Sequence, residues 1–158
     1  MTLYLTSDLH ADHYVENRNK ISTFINRYLP FCDVLCVAGD TADNPKIFID
    51  FYRLASVKYK HIFLIFGNHD LTVKHDNCFL TNPFPLTEEK LNWIKEKLSE
   101  LQNVTLLDGT TAKIGKITTT RQTGGLLLAY KAKGLKPRLK SHAFTYVQAY
   151  CSLSPAGP

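Results

Sequence analysis

The first 107 residues alternate between two spacings of apolar positions, one typical of strands and one typical of helices. Four short, largely apolar runs predict strands at 3–7, 34–38, 62–66 and 104–107. Apolar residues three or four positions apart predict helices at 16–29, 45–55 and 87–101. Because strands alternate with helices, we predict an α/β fold built on a mostly parallel sheet.

Residues at the ends of the predicted helices support these boundaries. Pro30 ends the first helix, because its ring removes a backbone donor and clashes with the preceding turn. Asn44 followed by Pro45 is a typical start for the second helix. Thr87 is predicted to cap the third helix, whose first turn carries two glutamates that suit the positive end of the helix dipole.

The apolar pattern weakens after residue 116. Residues 114–120 are compatible with a fifth strand, and the runs of threonine, glycine and leucine beyond them follow no clear period. A chain of 158 residues is long enough for one domain with a real core. We therefore predict one folded domain over residues 1–117 and a distinct tail over residues 118–158.

Composition narrows the class of protein. With 44% hydrophobic and 21% charged residues, the chain matches an ordinary globular protein. No apolar stretch approaches the roughly 20 residues that cross a bilayer, and the first seven residues do not have the form of a signal peptide. The four cysteines form no CxxC pair, so we expect reduced thiols, a cytoplasmic location and no membrane partner.

Charge is distributed unevenly along the chain. Residues 1–108 carry 11 basic and 14 acidic side chains, whereas residues 109–158 carry 8 basic and no acidic ones. One hypothesis is that the tail is frameshifted or truncated sequence, or is disordered. The other is a basic tail that binds the phosphate backbone of a nucleic acid. The first is favoured, because the positive charges form no compact cluster.

A short polar cluster follows each of the first three predicted strands. The clusters are Asp8-Leu9-His10, Gly39-Asp40 and Gly67-Asn68-His69-Asp70. Ligands bind at the carboxyl ends of parallel strands, so we expect the three clusters to meet. Their mixed nitrogen and oxygen donors suit Mn²⁺, Zn²⁺ or Fe better than Mg²⁺ or Ca²⁺. The pattern predicts a two-metal site for a phosphate ester.

The chemistry of such a site suggests a role for each residue. Asp8 and His10 alternate at one strand end and can point at one ion, while Asp40 has two oxygens and can bridge two. Two ions about 3.5–4 Å apart can hold a bridging hydroxide and clamp a phosphate. We expect His69 to face the substrate and stabilise or protonate the leaving oxygen. Asp70 is expected to accept a hydrogen bond from the other ring nitrogen of His69.

In these three motifs the chain resembles the calcineurin-like metallophosphoesterases, which are marked by DxH, GD and GNH[DE] in this order. The resemblance covers about residues 1–110. It implies a four-layer α-β-β-α sandwich, two divalent metal ions and hydrolysis of a phosphate mono- or diester. The metal ligands that it implies are Asp8, His10, Asp40 and Asn68. The catalytic residues that it implies are His69 and Asp70.

The sequence departs from the family at its C-terminal motifs. The family supplies further histidines from GH and GHxH motifs, and no Gly-His dipeptide occurs here. The resemblance then implies three protein ligands for the first metal and two for the second, with one ion or weak occupancy. The sandwich would be incomplete, and its exposed sheet edges predict self-association. The alternative function is a catalytically impaired remnant that binds metal weakly, or binds phosphate or nucleic acid through its tail.

Simpler interpretations compete with these assignments. Any one of the three motifs alone is better explained as a helix cap or a turn. Together, in order and each after a strand, they favour a metal site. We expect Asp12 and His13 in a solvated loop, His61 in a structural position and His75 at the surface. His142 is not expected to replace a missing ligand.

Overall fold

The computed structural model describes residues 1–15, 18–73, 83–108, 110–114, 117–122, 125–130 and 148–150. Its strands are β1 (Leu3–Thr6), β2 (Val34–Ala38), β3 (His61–Ile65), β4 (Val104–Leu106), β5 (Thr111–Ile114), β6 (Ile117–Gln122), β7 (Gly125–Tyr130) and β8 (Gln148–Tyr150). Its helices are α1 (Arg18–Tyr28), α2 (Pro45–Lys58), α3 (Asn68–Leu71) and α4 (Thr87–Ser99). Residues Ala11–His13 form a 3₁₀ turn. The four strands and three long helices predicted up to residue 107 are therefore confirmed, within a few residues at their ends.

The first sheet contains β1 to β4 in sequential order, and all its neighbours are parallel. Cys36 in the second strand is paired with Leu5 on one side and Phe63 on the other. A helix connects each strand to the next, as parallel neighbours require. The predicted α/β fold with a parallel sheet is confirmed.

The two faces of this sheet are covered by different elements. Alternate residues of β2 and β3, such as Leu35 and Ile62, belong to a large core with α1, α2 and α4. The residues between them, such as Cys36 and Phe63, form a second buried cluster, against which Ala112 of β5 packs. Every residue of β2 is buried, which confirms a strand covered on both faces. The three long helices therefore cover one face and leave the other to β5.

The second sheet has the order β5-β6-β7-β8. Its first three strands are antiparallel neighbours, and β8 runs parallel to β7. Ile114 is paired with Ile117 across antiparallel strands, so the single strand predicted over 114–120 is wrong. The glycine at position 115 is a strand-breaking signal that apolar spacing does not show. Strands β6 to β8 lie in the predicted tail, whose interpretation as frameshifted sequence stays a prediction.

The predicted helix caps met different outcomes. The Asn44 side chain accepts hydrogen bonds from the backbone N–H groups of Lys46 and Ile47, at 2.9 and 3.1 Å, and Pro45 follows it. That cap is confirmed. The cap predicted at Thr87 is wrong, because Leu86 occupies the capping position and its side chain makes no hydrogen bond there. Thr87 is instead the first residue of the helix.

The cysteines that the structure describes agree with the predicted reduced thiols. Cys32 and Cys36 are free and buried, and burial raises the pKa of both. Cys78 and Cys151 lie outside the described residues. In the described parts of the chain, no helix combines the length and the apolar character that crossing a membrane requires.

Candidate metal centre

The loops that follow β1 and β2 run side by side at the carboxyl end of the first sheet. The backbone N–H of Asp8 donates to the carbonyl of Gly39 at 3.1 Å, and that of His10 donates to the carbonyl of Asp40 at 3.0 Å. These bonds extend the parallel pairing beyond the strands. They fix the first two polar clusters against each other, as predicted from their positions after neighbouring strands.

Three predicted metal ligands come together in this arrangement. Asp8, His10 and Asp40 each present a ligand atom, and these atoms all lie within 4.8 Å of one another. Within the described residues, Nδ1 of His10 is buried without a hydrogen-bond partner. A buried polar atom left without a partner costs free energy unless a ligand satisfies it. The donor set is thus that of a mixed nitrogen and oxygen cation site.

The same three residues have unusual backbone conformations. The φ angles of Asp8, His10 and Asp40 are 52°, 40° and 54°, in the left-handed region that non-glycine residues rarely adopt. Each such residue costs on the order of 1–3 kcal/mol, and such residues cluster at functional sites. Folding of the rest of the sheet therefore holds the candidate ligands in place against local strain.

Two glycines allow the loops after β2 and β3 to approach each other closely. A Cβ atom added at Gly67 would overlap the carboxylate of Asp40 and lie 2.5 Å from the backbone nitrogen of Asp40. A Cβ atom added at Gly39 would lie 2.8 Å from Cα of Gly67. Gly39 also has a φ of 88°, which glycine adopts readily. The glycines of the GD and GNHD clusters are therefore needed because the two loops touch.

Asp70 is buried beneath these loops and holds them together. Its two carboxylate oxygens accept hydrogen bonds from four backbone N–H groups at 2.7–3.2 Å. The donors are those of Asp40, Thr41, Ala42 and Gly67. Burial raises the pKa of Asp70 to about 7, although the hydrogen bonds from Gly67, Ala42 and Thr41 oppose the rise. The hydrogen bond predicted between Asp70 and His69 is wrong, because backbone donors take up the carboxylate.

Asp43 makes the contact with His69 that was expected of Asp70. Nδ1 of His69 lies 2.8 Å from a carboxylate oxygen of Asp43, and the backbone N–H of His69 donates to Asp40 at 2.9 Å. Burial lowers the pKa of His69, but the hydrogen bond and charge of Asp43, together with the charges of Asp40 and Asp70, outweigh it and the net shift is upward. The side chain of His69 is 41% exposed, so a ligand can reach it.

Sequence reasoning missed Asp43, and one signal points to it. Asp43 stands three residues after Asp40, directly before the helix cap at Asn44. The loop after β2 therefore carries two carboxylates, and its turn aims the second one at the loop after β3. The polar ligand atoms of His10, Asp43 and His69 also lie within 4.8 Å of one another. The His69 ring stands edge-on to the His10 ring, with centroids 4.7 Å apart.

The remaining predicted residues take several positions. Asn68 is an exposed residue at the start of α3, and its role as a metal ligand stays a prediction. Asp12 is buried and accepts a hydrogen bond from the backbone N–H of Asn44 at 3.1 Å, so the prediction of a solvated position for it is wrong. His13 is exposed as predicted, and its ring stacks on that of His10 with centroids 5.2 Å apart.

Comparison with known proteins identifies the family. The family model of the calcineurin-like phosphoesterases matches residues 1–142. The chain belongs to this family. The resemblance predicted from the three motifs is thereby confirmed, and the match continues beyond the 1–110 range on which the prediction rested. No curated protein matches the chain.

Solved structures of similar fold include one informative neighbour. Phosphopantetheinyl hydrolase from Mycobacterium tuberculosis aligns with a TM-score of 0.52 at 20% identity, over 87% of this chain and 47% of that one. A protein of unknown function from Aquifex aeolicus aligns with a TM-score of 0.36 at 17% identity, over 87% of this chain and 64% of that one. The chain spans about half the length of the first neighbour. At 20% identity, the likeness to the hydrolase shows the fold alone.

Proposed function

We propose that this protein hydrolyses a phosphate mono- or diester in a metal-dependent reaction. The observation that carries the proposal is that a cluster of candidate metal ligands and an accessible histidine lie together at the carboxyl edge of the sheet. Asp8, His10 and Asp40 offer ligand atoms within 4.8 Å of one another. Beside them lies an accessible histidine, His69, that is bonded to the carboxylate of Asp43. Membership of the calcineurin-like phosphoesterases supports the same class of reaction.

The metal ions are part of the proposal. Asp8, His10, Asp40 and Asn68 would hold two divalent ions, and their donor types suit Mn²⁺, Fe or Zn²⁺. When bound, such ions lower the pKa of a water molecule and neutralise charge on the phosphate. The strained backbone at three of these residues supports this assignment, because residues held in such conformations are concentrated at functional sites.

His69 would act as the general acid. In hydrolysis, a water oxygen bonds to phosphorus and loses one proton to solvent as the bond from phosphorus to the leaving oxygen breaks, and protonated His69 gives its Nε2 proton to the leaving oxygen. A proton from solvent then restores His69. When Nδ1–H of His69 donates to Asp43, Nε2 is left for the substrate. Asp70 would act indirectly, since its carboxylate holds the backbone of Asp40 and Gly67 and does not face the substrate.

The proposed partner is a phosphate-ester substrate. Binding of nucleic acid by the basic tail, self-association and a cytoplasmic location stay predictions. Residues 131–147 and 151–158 of that tail lie outside the described residues.

The proposal is tested by assaying the purified chain with Mn²⁺, Zn²⁺ or Fe²⁺ on p-nitrophenyl phosphate and bis(p-nitrophenyl) phosphate. The comparison is with Asp40→Asn, which removes a carboxylate at the centre of the site. Asp108→Asn is the matched control, because Asp108 is partly exposed and pairs with Lys95 on the surface. We expect the wild type and the control to hydrolyse one of the esters at similar rates.

The Asp40→Asn variant should be slower by about 100-fold or more. The Asp40 carboxylate belongs to the cluster that would hold the metal, and it also accepts a hydrogen bond from the backbone N–H of His69. A wild-type rate no higher than that of Asp40→Asn with all three metals would exclude the enzyme proposal. Calorimetric titration with Mn²⁺ then gives the number of ions bound, and a chain that binds none would exclude the metal site.

A further inference from the structure

Lys90 occupies a position in α4 where the helix pattern calls for an apolar residue. The buried face of this helix consists of Lys90, Ile94 and Leu98, each four residues from the next. Lys90 is completely buried, whereas Lys95 on the same helix is partly exposed and pairs with Asp108. Lysine is almost never fully buried unless its amino group has partners. The contacts of that amino group therefore define what the residue does.

The amino group of Lys90 joins two segments of the candidate site. Nζ donates to the backbone carbonyl of Asp43 at 2.6 Å and to that of Thr72 at 2.7 Å. Asp43 lies in the loop after β2, and Thr72 directly follows α3. The two carbonyls lie 29 residues apart in sequence, and Lys90 contributes from a third element. Because both carbonyls are bonded to the same amino group, Lys90 fixes the distance between the loop after β2 and the end of α3.

These two segments carry the two halves of the Asp43–His69 pair. The backbone N–H of Thr72 donates to the carbonyl of His69 at 3.1 Å, and the Thr72 hydroxyl donates to the carbonyl of Asn68 at 3.1 Å. Thr72 is thus tied to the helix that presents His69. Lys90 therefore bonds to Asp43 on one side and to the residue that ends this helix on the other. The same two segments make the 2.8 Å contact between the Asp43 carboxylate and Nδ1 of His69.

We propose that Lys90 is a positioning residue, which sets the geometry of the Asp43–His69 pair by tying the loop after β2 to the end of α3. The kinetic part of this inference rests on the proposed function. Lys90 itself is buried and does not touch the substrate. Without its two hydrogen bonds, the two segments are free to shift, and the imidazole loses its fixed orientation. A displacement of about 1 Å in a catalytic group can lower a rate by about 100-fold.

The first experiment compares Lys90→Met with Lys95→Met in the full chain. Methionine keeps an unbranched apolar side chain of similar length and removes the donors, and Lys95 supplies a lysine on the same helix outside the site. We expect Lys90→Met to lower kcat on the nitrophenyl esters by about 10- to 100-fold. KM and the affinity for Mn²⁺ should change by less than about threefold, because Lys90 contacts none of the clustered ligands Asp8, His10 and Asp40. Lys95→Met should match the wild type.

The second experiment reads the histidine directly and needs no activity. Long-range ¹H–¹⁵N correlation spectra report the tautomer and the hydrogen bonding of each imidazole, and the signals of His69 are assigned by their loss in His69→Gln. We expect the Nδ1 signals of His69 to move in Lys90→Met and to stay in place in Lys95→Met. Lys90→Arg keeps donors at this position, and a partial return of kcat and of the His69 signals is expected.

The outcomes separate this proposal from the proposed function. A wild type without activity would reject the enzyme proposal, while the spectra would still decide the role of Lys90. A folded Lys90→Met variant with unchanged His69 signals would overturn the positioning role. Should that variant unfold, the spectra are compared for Lys90→Gln in trimethylamine N-oxide, which favours the folded state. Unchanged His69 signals in that variant would overturn the proposal equally, and shifted signals would support it.

Discussion

The two ends of the first sheet each contain an aspartate that ties loops together, and the two aspartates differ in their surroundings. At the carboxyl end, Asp70 is buried and accepts hydrogen bonds from four backbone N–H groups. At the amino end, Asp33 is partly exposed and accepts from the backbone N–H of Thr2 at 2.7 Å and from Lys60 at 2.6 Å.

The pKa shifts of the two aspartates have opposite directions. Burial raises the pKa of Asp70 to about 7. The hydrogen bond from Lys60, with those from Thr2, lowers the pKa of Asp33. Among the residues that the structure describes, positive-φ backbone and glycines in close contact occur at the carboxyl end and not at the amino end. The same side chain thus acts as a surface tie at one end and as the buried support of a candidate site at the other.

Replacing each aspartate by alanine tests this contrast at its strongest point. Asp70→Ala leaves four N–H groups, two of them buried and two partly buried, without their acceptor. Each unsatisfied buried group costs about 1–3 kcal/mol. After some relaxation and water entry, we expect the free energy of unfolding to fall by about 4 kcal/mol. Urea denaturation measures it, with Asp33→Ala as the matched control. Equal losses in the two variants would contradict the contrast between the two ends.

A second prediction concerns the contact between loops at the carboxyl end. Gly67→Ala places a methyl group against the Asp40 carboxylate and backbone, so the two loops must separate. Overpacking of this kind costs about 1–3 kcal/mol, and we expect about 2 kcal/mol in the free energy of unfolding together with weaker Mn²⁺ binding. Calorimetric titration and urea denaturation measure the two effects. The control Val57→Ala, at an exposed position, should change neither the stability nor the Mn²⁺ affinity. If Gly67→Ala binds Mn²⁺ as the wild type does, the close approach of the two loops is not required for metal binding.

A third prediction separates catalysis from stability at the same end. Asp43→Asn removes the charge opposite His69 but keeps the size of the side chain. If His69 is the general acid, kcat should fall by about 10- to 100-fold with little change in the urea midpoint. Steady-state assays of the variant, beside Asp108→Asn, give the comparison. If Asp43→Asn disrupts the hydrogen bond at Nδ1 of His69 but leaves kcat unchanged, Asp43 has no part in the mechanism.

The smallest effect is expected at the amino end and depends on pH. The pKa of Asp33 is lower in the folded protein than its ordinary value of 3.8, so its ionised form stabilises the fold. That contribution is fully present above pH 3.8 and is lost as the pH falls through the folded pKa. The stability difference between wild type and Asp33→Asn should therefore be constant from pH 5 to 7 and shrink below pH 3.8. Urea titrations across this range measure it, and a difference that grows on acidification would contradict the assignment.

The strands and helices of the first sheet were predictable because apolar spacing and helix caps depend on residues that are close together in the chain. The buried run at 34–38 identified β2, and Asn44 with Pro45 identified the start of α2. The convergence of Asp8, His10 and Asp40 followed from their places after neighbouring parallel strands. The cap predicted at Thr87 is wrong because a threonine is able to cap a helix at many positions, whereas the path of the chain places Leu86 at the capping position.

Contacts between distant segments were harder to predict. The exchange of roles between Asp70 and Asp43 depends on how the loops after β2 and β3 fold against each other, which residue spacing does not encode. The burial of Lys90 was not predicted, because lysine is a polar residue and its position becomes buried only when α4 packs in the folded protein. The separation of β5 from β6 was not predicted, because residues 114–120 have a composition that suits one continuous strand as well as two paired strands.

The sequence by itself determined the parallel sheet, the family and the set of polar residues that meet at its carboxyl end, because periodicity and strand order are local properties of the chain. Tertiary structure alone decided which carboxylate supports the loops and which one holds His69. Those choices depend on burial and on backbone N–H groups brought together from separate loops. A short sequence motif identifies the reactive side chains, but the packing of the loops that carry them determines the hydrogen-bond partner of each side chain.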